Sequence, residues 1–274
     1  MATPIGNLAD LSLRAIHVLG RVDAVACEDT RVTAQLLRHL GIEVPLLALH
    51  EHNERAAAEQ VCNRLAQGQS VAYVSDAGTP AVSDPGAALV AAVRQAGHRA
   101  VPIPGCSSVL AALSVAGDTL GRSFRFVGFL PAKGAERRTV LQSVVAAEDT
   151  QVLFEAPHRI EALLQALAVA APQRPLTLCR ELTKQFEHVH TLPAADAPTW
   201  LAADPNHRRG EFVIVLHALP PAMRADGLPA EHLHTLTVLL GELPLRQAVS
   251  LAADITGASR NALYDEALRR QKGG

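Results

Sequence analysis

Apolar and polar positions along this chain fall into short blocks, and the spacing inside each block separates strands from helices. Leu11–Leu19 has helical spacing, and Ala24–Cys27 is a short apolar run of strand length. Val32–Leu40 returns to helical spacing and stops at Gly41, a residue suited to the left-handed turn that closes helices. A helix at Ala56–Gln67, a strand at Ser70–Val74, a helix at Ala87–Ala96, a strand at Ala100–Ile103 and a helix at Val109–Val115 follow. Gly117–Gly121 interrupts the alternation and places a domain boundary near residue 120. The second half has strand-like runs at Phe126–Phe129, Val152–Phe154, Leu176–Cys179 and Phe212–Leu216, with helices at Glu136–Ala146 and Ile160–Ala170. Ala218–Pro229 is Pro-rich and reads as a linker. Beyond it, Pro244–Ile255 and Ser259–Arg270 form two helices joined at Thr256-Gly257-Ala258.

Short strands joined through helices imply parallel βαβ units. The predicted organisation is one α/β domain over 1–120, a second over 121–218, a linker over 219–229 and a helical tail over 230–274.

Composition narrows the function classes. With 49% hydrophobic and 19% charged residues the chain is globular, and an aromatic share of 3% makes its core aliphatic. A net charge of −2 argues against a protein that coats nucleic acid, although a local basic patch would suffice for a specific RNA. Cys27, Cys62, Cys106 and Cys179 lack CxxC spacing and sit in apolar runs, so they read as free thiols, with no metal site. No apolar stretch approaches the ~20 residues that span a bilayer, and the N-terminus lacks a basic region followed by an apolar one. A cytoplasmic protein is expected, with no membrane partner.

Chemistry concentrates in loops at strand ends, where open parallel sheets place ligands. The first loop is Ala2-Thr3-Pro4-Ile5-Gly6-Asn7-Leu8. The second runs from Ser75-Asp76-Ala77-Gly78-Thr79-Pro80 through Ser83-Asp84-Pro85-Gly86. The third is Pro104-Gly105-Cys106-Ser107-Ser108. Glycine lets backbone approach a ligand closely, and small hydroxyl side chains add hydrogen bonds without bulk. The GxGxxG fingerprint is absent, which disfavours an ordinary dinucleotide site. His50 and His52 flank Glu51, while His188/His190 and His232/His234 alternate; none has the i, i+4 spacing of a helical zinc site, so all read as structural.

The segments ATPIGNL, CEDTR, HEHNE, VSDAGTPAVSDPG, PGCSS, GFLP, FEAPHR, RELTKQFE and GEFVIV closely resemble, in order, the bacterial ribosomal RNA small-subunit methyltransferase I family of the tetrapyrrole-methylase superfamily. The C-terminal LPLRQAVSLAADITGASRNALYDEAL is similar to that family's helical tail. The resemblance implies a two-domain tetrapyrrole-methylase fold, with a mainly parallel sheet in the first domain and a mixed one in the second. It implies S-adenosyl-L-methionine bound in the cleft, 2′-O-methylation of a cytidine in 16S rRNA of the 30S subunit, and a homodimer. Two departures stand out. The family carries a short apolar strand before ATPIGN where this chain begins with Met1, so either the start is misassigned or truncated or the first sheet lacks most of that strand. The third loop has Cys106 and Ser108 where the family pattern resembles Pro-Gly-Pro-Ser-Ala, swaps that keep small size.

On this resemblance Pro4, Gly6, Asp76, Ala77, Gly78, Thr79, Val82, Ser107, Ser108 and Glu155 are expected to bind the cofactor. A ribose hydroxyl is a poor nucleophile at neutral pH, so a carboxylate acceptor for its proton is sought among Glu28, Asp29, Asp76, Asp84, Glu155 and Glu181. Asp29, Arg31 and Glu181 are the catalytic candidates, with Asp29 taking the proton and Arg31 a phosphate; the competing reading is a structural Asp29–Arg31 ion pair. Lys133, Arg137, Arg138, Arg159 and Lys184 fall in or beside the matched loops and are expected to hold RNA phosphates. Two alternatives stay open. One is a small-molecule methylase of the same superfamily, against which CEDTR, HEHNE and FEAPHR speak. The other is a nucleic-acid-binding protein that uses the helix-turn-helix-like tail, with an inactive methylase body.

Overall fold

The computed structural model describes residues 1–50, 53–220, 228 and 230–272. Glu51 and His52 of the HEHNE segment, and most of the 219–229 linker, lie outside the described residues. The chain divides into two compact units, Met1–Leu219 and Pro220–Gly274.

The first unit starts with α1 (Leu13–Leu19), β1 (Ala24–Cys27), α2 (Thr30–Leu40), β2 (Leu46–Ala48), α3 (Glu54–Ala66), β3 (Val71–Val74), α4 (Ala87–Gln95) and α5 (Ser108–Ala116). β1 is buried at every position because it is the middle strand of a parallel sheet ordered β2-β1-β3, covered on both faces by helices. Gly41 closes α2 at φ +68°, as its sequence position requires. Ala100–Ile103, expected as a strand, is irregular. The segment beside it is Met1–Thr3, which gives it a bond from Ala2 N–H to Ile103 O at 3.2 Å. That is too little for a ladder. The same short segment donates from the Met1 amine to Tyr73 O at 2.8 Å and forms a bridge between Thr3 and Gly78.

The unit continues through β4 (Phe124–Phe129), α6 (Gly134–Ala146), β5 (Thr150–Glu155), α7 (Ile160–Ala170), β6 (Pro175–Arg180), β7 (His188–Pro193), α8 (Ala197–Ala203) and β8 (Phe212–Leu216). Its second sheet is ordered β4-β5-β8-β6-β7; the β4–β5 pair is parallel and the other pairs are antiparallel, so the sheet is mixed. One face packs Leu153, Leu176, Leu178 and Ile214 against α7 and α8 through Leu163, Leu167 and Leu201. The other packs Val152, Cys179, Val213 and Val215 against α5 through Val109, Ala112 and Ala116. Between the two sheets the chain is pinned by Asp118, whose Oδ2 accepts from Thr150 Oγ1 at 2.6 Å and from Ala218 N–H at 2.7 Å.

The second unit holds α9 (Ala230–Glu242), α10 (Leu245–Thr256) and α11 (Arg260–Lys272), packed around Leu236, Val249, Ala252, Leu263 and Ala267. No described helix in either unit is long and apolar enough to cross a membrane.

Candidate active site

A cavity of about 350 Å³ lies where the loops after the first sheet meet the ends of the second. Ile5 comes from the first loop, and Ala77, Gly78, Thr79, Val82, Ser83 and Asp84 from the second. Ser107 and Ser108 open α5 beneath the third loop. The facing wall is Phe129, Phe154, Glu155, Cys179, Leu182, Glu211, Phe212 and Val213. Its size falls within the 300–1,000 Å³ range of small-molecule sites, and its make-up is theirs too: mostly apolar walls with a few polar groups.

The loops hold one another in place. Thr3 Oγ1 donates to Ser75 O at 3.0 Å, Ser75 Oγ to Gly78 O at 3.0 Å, and Thr79 Oγ1 to Cys106 O at 2.8 Å. Gly78 sits at φ +79°, where only glycine is unstrained, and a Cβ there would press on Ile5 at 3.4 Å. Among the described residues, four that are not glycine nevertheless adopt positive φ, Ala81 and Ser83 in the second loop and Glu181 and Thr183 after β6. Each is a strained position of roughly 1–3 kcal/mol, sustained by its surroundings, and such strain clusters at functional sites.

The carboxylates separate by what surrounds them. Glu155 ends β5 with its side chain fully buried, and it meets Arg159 Nε at 3.0 Å and Arg137 Nη2 at 3.4 Å. Its Oε1 also accepts from Ala156 N–H at 3.0 Å. Glu181 Oε1 accepts from Lys184 Nζ and from Glu211 N–H, both at 2.9 Å, and the same Lys184 reaches Glu211 Oε2 at 3.0 Å. Burial works to raise the Glu181 pKa, but Lys184 and the Glu211 amide bring it below the ordinary value. Asp29 pairs with Arg31 and caps α2 by accepting from Arg31 N–H at 2.8 Å. That bonding holds its carboxyl at about 2. Asp84 differs: it lines the cavity and has no hydrogen-bond or ion-pair partner among the described residues. Burial first, and then the charge of Asp76, raise its pKa above the usual carboxylate value. Glu28 is raised for the same reasons, by burial and by Asp76, Asp84 and Asp29, but lies outside the lining.

Of the residues expected at the cofactor, Ala77, Gly78, Thr79, Val82, Ser107, Ser108 and Glu155 line the cavity. Pro4, Gly6 and Asp76 are not in the lining. A Cβ on Gly6 would collide with Lys184, so the first loop presses directly on the 181–184 turn. Asp76 Oδ1 accepts from Asp29 N–H at 2.9 Å and so fixes the CEDTR segment to the second loop. Asp29, Arg31 and Glu181 are not in the lining. Lys133 and Arg138 are exposed, but Arg137 and Arg159 turn inward, because the buried Glu155 needs compensating charge. Arg137 and Arg159 also donate to the Pro131 and Leu130 carbonyls, at 3.1 and 2.5 Å, and so clamp the GFLP turn.

Residues 2–198 match the family of tetrapyrrole (corrin/porphyrin) methylases, and residues 226–271 match the RsmI C-terminal HTH domain. A ribosomal RNA small subunit methyltransferase I from Pseudomonas aeruginosa is 48% identical over 99% of this chain and 96% of its own length. One from Neisseria meningitidis serogroup B is 49% identical over 98% of this chain and 91% of its own. The chain belongs to the ribosomal RNA small-subunit methyltransferase I family of tetrapyrrole methylases. Uroporphyrin-III-C-methyltransferase from Thermus thermophilus shares the fold, with a TM-score of 0.54 at 23% identity over 78% of this chain and 91% of that one.

Within this methylase, sequence reading missed the wall formed by Phe129, Phe154, Cys179, Leu182 and Val213. Apolar residues at strand ends carry no local sign of lining a cavity instead of a core. Ser83 and Asp84 had a signal, since both lie in the quoted second loop.

Proposed function

We propose that this methylase transfers a methyl group from S-adenosyl-L-methionine to a ribose 2′-hydroxyl of a cytidine in 16S rRNA. The observation that carries the reading is the cavity itself, with three strand-end loops on one side and an unpartnered carboxylate, Asp84, on its wall. The cavity suits the donor: it has the volume, apolar walls for an adenosine, the Ser107 and Ser108 hydroxyls, and carboxylates for a cationic ligand. When bound, the donor supplies an activated methyl group, so no covalent enzyme nucleophile is needed.

The chain's own work is positioning and proton transfer. Ala77, Gly78, Thr79 and Val82 shape one wall, and Ser107 and Ser108 the floor at the start of α5. Holding the reactants in line is worth up to roughly 7–11 kcal/mol. Asp84 Oδ takes the hydroxyl proton, a role worth about 10²–10⁴-fold. Its raised pKa and free oxygens suit it better than Asp29 or Glu181, whose oxygens are held by Arg31 and Lys184. Arg31, its side chain 89% exposed, stays available to a phosphate, as do Lys133 and Arg138.

A homodimer acting on the 30S subunit in the cytoplasm completes the proposal. Support for a second copy comes from the edge strand β4, where Phe124 is 48% exposed. The deciding experiment transfers tritiated methyl from S-adenosyl-L-methionine to undermethylated 30S subunits and analyses the nucleosides. Label in 2′-O-methylcytidine is expected, and Asp84→Asn should lower the rate at least 100-fold. Label in another nucleoside, or none from a protein that binds the cofactor, would overturn the reading.

A further inference from the structure

The sole tryptophan of this aromatic-poor chain sits in a cluster of three histidines. His188 and His190 project from one face of edge strand β7, Trp200 from α8, and His207 from the single turn Pro205–Arg208. Trp200 and His207 lie parallel, at 4.0 Å and 8°, and His190 is nearly parallel to Trp200 at 5.6 Å and 14°. The phenylalanines beside the cavity meet edge-on instead, at 66° and 65°. All four rings of the cluster are only half-buried, although Leu192, next on the same strand face, enters the core. Packing therefore does not require the three imidazoles, although Trp200 itself packs against the core beneath them. Nor does a metal: no described group of three or more ligating side chains could hold one, and His207 Nδ1 is occupied by Trp200 O at 2.8 Å.

What surrounds the stack is cationic. Arg208 and Arg209 follow His207 directly and are exposed, with Arg208 also reaching Glu161 at 3.3 Å. Arg180 ends β6 beside His188 and donates to the Arg209 and Phe186 carbonyls at 3.3 and 3.0 Å. Phe186 is itself 66% exposed. The cluster lies at the same end of the sheet as the cavity: Arg180 pairs with His188 on one side and with Phe212, a cavity residue, on the other. The β7 and β8 backbones are two strand spacings, about 10 Å, apart there, with the stack on the α7/α8 face of the sheet and the cavity on the α5 face.

We propose that the His190–Trp200–His207 stack, with Arg208 and Arg209, docks single-stranded RNA flanking the nucleotide in the cavity. This rests on the reading that the substrate is RNA. Unpaired bases stack on aromatic and imidazole faces without regard to sequence, and arginines hold the phosphates between them. The arrangement lets one nucleotide enter the cavity while the flanking strand passes round the end of β6 and β8 onto the stack.

The test uses the full chain and two variants, His190→Leu/His207→Leu and Arg209→Ala. With undermethylated 30S subunits, the histidine pair should raise KM about 5- to 100-fold with kcat held within about two-fold. Arg209→Ala should lower the salt slope of RNA binding by about 0.7, the single-strand value for one phosphate. Trp200 is the only tryptophan, so its emission reports the stack directly. A single-stranded RNA decamer should shift that emission saturably, and the same decamer in a duplex should not. Unchanged KM in both variants, or RNA binding seen by anisotropy with silent Trp200 emission, would overturn the proposal. So would an emission change that tracks protein concentration without RNA, which would assign the stack to a second copy. Absence of methyl transfer and of RNA binding in the wild type would instead sink the RNA reading beneath it.

Discussion

CEDTR and FEAPHR look alike on paper, each setting a carboxylate at a strand end and an arginine a few residues on. The fold treats them oppositely. Asp29 and Arg31 stand at the mouth of α2 with the arginine 89% exposed, whereas Glu155 is sealed at the end of β5 between two arginines that are 15% and 23% exposed. Water screens the first pair, so its worth lies in capping the helix and holding a guanidinium out in solvent. The second is structural, because a buried carboxylate without partners would not stay ionised. The arginine that can meet a phosphate is the one whose partner sits in water.

Breaking the buried cluster should have the largest effect. Glu155→Ala leaves Arg137 and Arg159 uncompensated and should lower stability by about 3–5 kcal/mol, read from urea denaturation. A loss under 1 kcal/mol would mean that both arginines reach solvent in the native state. Replacing the triad together, as Glu155→Leu with Arg137→Met and Arg159→Met, should recover most of that loss, since apolar packing removes the desolvation penalty. Arg137→Ala alone comes next, at about 1–3 kcal/mol, because Arg159 still faces Glu155. Asp29→Ala removes the cap on α2 and should shift the melting temperature by less than any buried change. Arg31→Ala should leave melting unchanged and weaken RNA binding, with a flatter salt slope; an equal fall in melting temperature would make the pair structural after all. The smallest effect is the pH response of Asp29. Its folded pKa of about 2 lies below the ordinary 3.8, so its contribution is complete above pH 3.8 and is lost as pH falls through 2. Carboxyl chemical shifts followed by NMR would show this midpoint, and Arg31→Ala should move it upward.

The sequence revealed those elements whose signal is local. β1, β8 and α7 begin and end where the apolar runs do, because central strands and a core-facing helix are apolar throughout. β7 escaped notice because His188-Val189-His190-Thr191 reads as polar, and an edge strand needs only one apolar face. β2 escaped because Leu46–Ala48 is too short to stand out beside Pro45. Ala100–Ile103 failed in the opposite sense: its composition suits a strand, but a strand exists only through its neighbours. In the site, the glycine and serine loops were legible because close backbone approach demands those residue types. The pairing of Arg137 with Glu155 was not, since the contact joins residues 18 apart through the packing of α6 against β5.

The strand order of the second sheet also bears on how the chain is made. Phe212–Leu216, buried at every position, pairs with β5 on one side and β6 on the other, yet it is the last of these strands to be synthesised. About sixty residues separate the end of β5 from its start. At elongation rates of about 5–20 residues per second, the inner edge of β5 stays unpaired for roughly 3–12 s and that of β6 for roughly 2–6 s. Until that strand leaves the ribosome there is no closed sheet, and the wall of the cavity cannot form. A newly made molecule thus passes through a stage with two strand edges exposed before its site can exist.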